Sequence, residues 1–122
     1  MATITPTTTN LNDAFNRGHT TQWTPLTFTG LDAGAPLTQF GEADRSVQVT
    51  GTFGAGGTVI IEGSNDGVNY APLKDHLGVA LSLTAAGIYS IDQIVANLRP
   101  RISAGDGTTS LTVTVLGRRV AP

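Results

Sequence analysis

From Trp23 onward the apolar side chains recur at every second position in short runs, and the runs are separated by Gly, Pro or Asp. A two-residue period puts successive side chains on opposite faces of an extended chain, so each run reads as a strand with one buried face. Thr24 to Gly30 sets Leu26 and Phe28 inward, and Ser46 to Phe53 sets Val47, Val49 and Phe53 against Gln48, Thr50 and Thr52. Thr58 to Gly63, Asn69 to Lys74, Val79 to Thr84, Ile88 to Asp92 and Leu98 to Ser103 continue the series. Thr109 to Leu116 closes it, with Leu111, Val113 and Val115 inward and Thr112 and Thr114 outward. Pro72 marks its strand as irregular or at an edge. Gln93 to Asn97 has room for one helical turn, but no segment sustains a 3.6-residue repeat. That excludes a helical scaffold and a nucleotide-binding fold of alternating strands and helices.

Local turn chemistry supports this reading. Gly54-Ala55-Gly56-Gly57 is expected to close a hairpin between the strands on either side of it. Asp66-Gly67 and Gly105-Asp106-Gly107 supply the positive-φ positions of tight turns, with the Asp side chains bonded to local backbone. About eight short strands of this kind suit a single β-sandwich or jelly-roll domain, because two sheets that each bury one face satisfy a two-residue period.

Residues 1–22 differ from the rest. Thr and Asn dominate and the apolar residues Ile4, Leu11 and Phe15 come singly, so this stretch is expected to be an extended N-terminal arm preceding the domain at 23–122. Asn12 and the spacing of Leu11, Ala14 and Phe15 allow one helical turn around 12–17, ended by Gly18.

Composition narrows the function. The chain of 122 residues is 39% hydrophobic but only 13% charged, about half the usual charged share. Seven basic against nine acidic residues give a net charge of −2, and the longest basic cluster is Arg118-Arg119, so nucleic acid is not an expected partner. No stretch approaches a membrane span, and residues 1–6 lack the pattern of a secretory signal. The absence of Cys removes disulfides, thiol catalysis and thiolate metal sites.

Candidate catalytic groups are sparse. His76 follows Asp75, but no Ser lies in a nucleophile-elbow sequence, and His, Asp and Glu never fall at metal-ligand spacing. Gly51 to Thr58 lacks the Lys-Ser/Thr ending of a phosphate loop and leads into a strand. Trp23, Tyr70 and Tyr89 are the residues with which a carbohydrate-binding β-sandwich would build a stacking platform; packing in the core is the other reading. Ile60 and Leu116 fall out of phase with the inward series and are expected on outer faces. Arg99 and Arg101, flanking Pro100, are candidates for ion pairs or interface contacts.

The run Val59-Ile60-Ile61-Glu62-Gly63-Ser64-Asn65-Asp66-Gly67-Val68-Asn69-Tyr70, then Leu98-Arg99-Pro100-Arg101-Ile102-Ser103-Ala104-Gly105-Asp106-Gly107-Thr108 and a Thr/Val terminal strand, resembles the jelly-roll head decoration, or cement, proteins of tailed bacteriophages. The resemblance spans about residues 46–119 and rests on strand-and-turn grammar shared with other phage structural proteins. It implies a non-enzymatic virion protein without cofactor or metal, made in the host cytoplasm, that binds the outer surface of the head and cements neighbouring major capsid subunits. It also implies a homo-oligomer, dimer or trimer. Capsid or self contacts are then expected at Ile4, Leu11, Phe15, Ile60, Arg99, Arg101, Leu116 and Arg118. The alternatives are a carbohydrate-binding module and a phage tail or baseplate component.

Overall fold

The computed structural model describes residues 3–11, 18–38 and 42–119. They form twelve strands and no helix: β1 (Thr3–Ile4), β2 (Thr7–Asn10), β3 (Gly18–Thr27), β4 (Ala33–Gly34), β5 (Leu37–Thr38), β6 (Glu42–Thr52), β7 (Thr58–Ser64), β8 (Ala71–Pro72), β9 (Ser82–Leu83), β10 (Gly87–Ser90), β11 (Asn97–Ala104) and β12 (Ser110–Arg119). The count is twelve rather than the expected eight or so: each expected run contains a strand, shortened to two residues at β8 and β9, and β1, β2, β4 and β5 are additional. The added strands are short and carry no alternation: β4 and β5 are two residues each, on either side of Ala35-Pro36. Residues 93–96 are irregular rather than helical, and the turn expected at 12–17 lies outside the described residues.

The strands form two sheets. One has five strands in the order β10-β6-β12-β3-β2; the other has seven along the path β1-β4-β11-β7-β8, with β5 beside β11 and β9 beside β7. Antiparallel pairs nest along the chain: β3 with β12, β4 and β5 with β11, β6 with β10, and β7 with β8 and β9. Between β3 and β7 the chain crosses from sheet to sheet, and it crosses again from β9 to β12. The arm drawn over 1–22 carries β1, which pairs in parallel with β4, β2, which pairs with β3, and the first residues of β3.

This nesting corrects the hairpin expected at Gly54–Gly57. β6 pairs with β10 and β12 while β7 pairs with β11, β8 and β9, so the link passes from one sheet to the other. Gly54 and Gly56 take φ of +68° and +70° there, a region L side chains avoid. Glycine-rich turn chemistry reports that the chain reverses; it carries no information about which strand lies alongside.

The core lies between the sheets. Val47, Val49, Leu111, Val113 and Val115 from the five-stranded sheet meet Val59, Ile61, Leu98 and Ile102 from the seven-stranded one, all essentially excluded from solvent. Each such side chain contributes about 1.5–3 kcal/mol of transfer free energy. Trp23 and Leu26 are both fully buried although three residues apart. A strict two-residue period would place them on opposite faces, but the β3–β12 register shifts between Leu111 and Val113, and the bulge at Thr24-Pro25 resets the phase. Val79, expected inward with Leu81 and Leu83, is 58% exposed in the turn before β9.

Pro100 is buried inside β11, a position normally closed to proline. Ile102 donates its N–H to the Asp32 carbonyl (2.9 Å), so Pro100, two residues before it, turns its ring nitrogen to the same side. On that side the partner strand is interrupted between β4 and β5, and no ladder hydrogen bond is lost.

Candidate interaction surfaces

On the outer face of the seven-stranded sheet, Arg99 of β11 stands directly opposite Glu62 of β7, and Arg101 opposite Ile60. The Glu62 carboxylate is shared, with Oε1 2.8 Å from Arg99 Nε and Oε2 3.2 Å from Arg101 Nε. Glu62 is buried although it points away from the core, because the two arginines and their neighbours cover it. The Arg99 guanidinium also lies 3.8 Å from the centroid of the Tyr70 ring, a cation–π contact that holds its plane. Ile60, Arg99 and Arg101 thus come together as one half-buried patch. Glu62 and Tyr70 complete it and were not singled out together from the sequence. The available signal was the acidic residue within the otherwise apolar and small run Val59 to Ser64, which requires a cation on a neighbouring strand.

Leu116 and Arg118 belong to the other sheet. Leu116 is 37% exposed on the outer face of β12, and Arg118 Nη2 lies 2.6 Å from Asp44 Oδ2 of β6. Both ends of this ion pair are mostly exposed, so it contributes little to stability. With Arg45 and Ser46 these residues line an open groove of about 210 Å³. Arg45 itself is buried and donates from Nη2 to the Gln93 carbonyl, which ties β6 to the segment preceding β11.

Apart from Ile88 of β10, which is 68% exposed beside Gln48, the rest of this outer face is built from uncharged polar side chains. Thr20, Gln22, Thr112, Thr114, Gln48 and Thr50 project outward from β3, β12 and β6, and among its described side chains the charged ones are Asp44 and Arg118 at one end. Hydroxyls and amides pair across strands: Thr24 Oγ1 lies 2.7 Å from Thr112 Oγ1, and Gln22 Nε2 donates to Thr114 Oγ1 at 3.3 Å.

The arm residues go elsewhere. Ile4 is half-buried against the core and its carbonyl accepts from Ala35 N–H at 2.8 Å, whereas Leu11 is 48% exposed beside Gly18. Phe15 lies outside the described residues. The expected contact residues therefore fall on two opposite faces and an edge rather than in one site.

The Asp-containing turns are built as the sequence predicts. Asp66 accepts from the backbone N–H and side chain of Asn69, from Val68 N–H and from the Ser64 hydroxyl, and this cradle, led by the Asn69 N–H, holds its carboxyl far below the usual range. Asp106 accepts from the Thr108 hydroxyl (2.6 Å), Ala55 N–H (2.9 Å) and Thr108 N–H (2.8 Å), which lower its pKa to about 2. Asp106 thereby fastens the β6–β7 link to the β11–β12 loop. Such carboxylates are saturated by backbone and hydroxyl donors and serve as turn locks.

His76 Nδ1 lies 3.0 Å from Ser90 Oγ on the surface. Trp23 is a core residue that donates from Nε1 to the Ala35 carbonyl at 3.0 Å. Tyr70 is half-buried under Arg99, and Tyr89 is half-buried with its hydroxyl donated to the Ala85 carbonyl. The three rings are thus held by separate partners. Among the described residues, no group of three or more His, Asp or Glu gathers to ligand distance. No protein-family model, curated protein or solved structure matches this chain.

Proposed function

We propose that the chain is a non-enzymatic structural protein of a virion, a jelly-roll cement protein that lies on the outside of a phage head and bridges neighbouring major capsid subunits. The observation that carries this reading is the outer face of the five-stranded sheet. Burying a charge without a partner is costly, and this face has almost none to bury. Its Thr24–Thr112 and Gln22–Thr114 pairs keep each other satisfied, so a covering protein removes little hydration that is not already replaced. The nested strand pairs, with β3 on β12 outermost and β7 on β8 and β9 innermost, support the jelly-roll assignment, since that fold is a long antiparallel hairpin rolled into two sheets.

Mass action supplies the mechanism. A protein that binds only the assembled lattice stabilises that state by its differential affinity, and repetition over a shell lets modest interfaces suffice. The test is co-sedimentation of the purified chain with DNA-filled heads of tailed phages, alongside a Thr112→Glu, Gln48→Glu variant that charges the face without touching the core. The expected result is occupancy by the native chain and at least about a tenfold loss in the variant, as a buried unpaired charge implies. Equal occupancy by both removes this face from the interface, and no binding by either removes the capsid reading. Truncation of the arm belongs at residues 2–10, because β3 begins at Gly18.

A further inference from the structure

We infer that the Arg99–Arg101 pair on the outer face of the seven-stranded sheet receives one Asp or Glu side chain of a protein partner, which completes a cluster of two arginines and two carboxylates. Glu62, Arg99 and Arg101 are the charged residues of the seven strands in this sheet. Together they leave this sheet with a surplus of one positive charge, although the whole chain carries −2. Arg99, directly opposite Glu62, already balances it; Arg101 stands opposite Ile60 and reaches diagonally for the second oxygen. One arginine meets the need of Glu62 for a counter-charge, and the other is unmatched.

The donors for a second carboxylate are in place. Both guanidiniums use only Nε on Glu62, at 2.8 Å and 3.2 Å. Among the described residues no acceptor meets the Nη groups of either, and 24% and 35% of the two side chains is open to solvent. The Tyr70 hydroxyl likewise has no hydrogen-bond partner among the described residues, whereas that of Tyr89 is donated to Ala85. Glu62 and the Tyr70 ring hold the guanidiniums, so a ligand meets side chains whose freedom is already partly lost. The chain's own acids beside this sheet are committed elsewhere: Asp32, Asp66 and Asp75 each accept from backbone N–H groups of their own turns.

The sign and size of the surplus charge select the occupant. Covering a net positive cluster without a counter-charge is costly, so whatever buries this face must supply an anion. One carboxylate brings the cluster to zero, whereas a phosphate group near its dianionic form overshoots, and a nucleic-acid backbone needs a run of cations that these strands lack. The planar edge of a guanidinium also matches the two oxygens of a carboxylate. Pro72 stands opposite Glu62 and Ser82 opposite Ile60, so the arginines and the Tyr70 ring are flanked by short or apolar side chains. Tyr and Arg in such surroundings are the composition of the centre of a protein–protein contact, which places the carboxylate on a protein surface. This site lies on the sheet opposite the face that carries the capsid reading and is independent of it.

The probe is a blocked tripeptide, acetyl-Ala-Glu-Ala-amide, with its Gln counterpart and inorganic phosphate beside it. Nuclear magnetic resonance of the isotope-labelled full chain at low ionic strength follows the Nε–H signals of Arg99 and Arg101 during each titration, in the native chain and in Arg101→Gln. The expected result is a saturable shift with the Glu peptide, none with the Gln peptide and weaker binding of phosphate. Arg101→Gln, which makes the cluster neutral, is expected to bind the Glu peptide at least about tenfold more weakly, with backbone signals away from β11 unchanged. Arg101→Lys, which keeps the charge without the fork, is expected to fall between the two and carries the comparison alone should Arg101→Gln fail to fold. No shift with the Glu peptide, an equal shift with the Gln peptide, phosphate bound as tightly as the Glu peptide, or undiminished binding in the Arg101 variants overturns the inference.

Discussion

Arg99 and Glu62 face each other directly across β11 and β7, 2.8 Å apart, and the second oxygen of the same carboxylate is claimed by Arg101. Removing Glu62 leaves two like charges side by side on a half-buried face. Glu62→Ala is expected to destabilise the chain by about 2 kcal/mol, less than the roughly 3–5 kcal/mol of a fully buried pair because both arginines reach solvent. Replacing all three with Leu and Met of similar volume is expected to be neutral or stabilising, since the desolvation cost of the charges disappears with them. Urea midpoints of the two variants separate these outcomes; equal loss in both contradicts the electrostatic account.

Gly34 of β4 lies between Pro100 of its own sheet and Trp23 of the facing one. A Cβ built on it would lie 2.6 Å from Pro100 Cδ and 2.6 Å from both Cδ1 and Nε1 of the Trp23 indole. None of these atoms belongs to a flexible side-chain end, because Pro100 is locked in β11 and the indole is held by its bond to the Ala35 carbonyl. Gly34→Ala is expected to cost about 2–3 kcal/mol through overpacking, seen as a lower denaturation midpoint with an unchanged slope. Near-UV circular dichroism of Trp23 reports whether the indole is displaced.

Acid is expected to weaken the fold through Asp106. Its hydrogen bonds, that from the Thr108 hydroxyl foremost, lower its pKa from the ordinary 3.8 to about 2. The folded state therefore favours the ionised form: its contribution is complete above about pH 4 and is lost as the pH falls toward 2. Asp66 acts in the same direction. Asp106→Asn should lower stability at neutral pH and flatten the decline between about pH 4 and pH 2. Chemical denaturation of both proteins across that range measures it, and parallel curves would show that Asp106 is not coupled to folding.

How much of this was legible beforehand differs by residue. The contrast between Ile88, 68% exposed, and Ile91, 5% exposed, follows from counting positions, because three residues apart in a strand means opposite faces. The Asx turns at Asp66 and Asp106 were equally legible, since their donors lie two or three residues away. Trp23 was not, because the bulge that brings it inward with Leu26 is set by the β12 register and leaves no local trace. The patch of Ile60, Arg99 and Arg101 was half legible: the arginines stood out, but their shared carboxylate comes from a strand more than thirty positions away.

The amino-acid order by itself determined that this chain makes short strands with one apolar face, where they break, and that its surface would be poor in charge. Those properties reside in the alternation and in turn residues whose partners are close along the chain. Which strands lie side by side was decided only in three dimensions. A two-residue period says which face is buried and nothing about the neighbour, so β6, Gly54–Gly57 and β7 look locally like a hairpin. They become a passage between sheets because β12 and β11, contributed by the far end of the chain, take the places beside them.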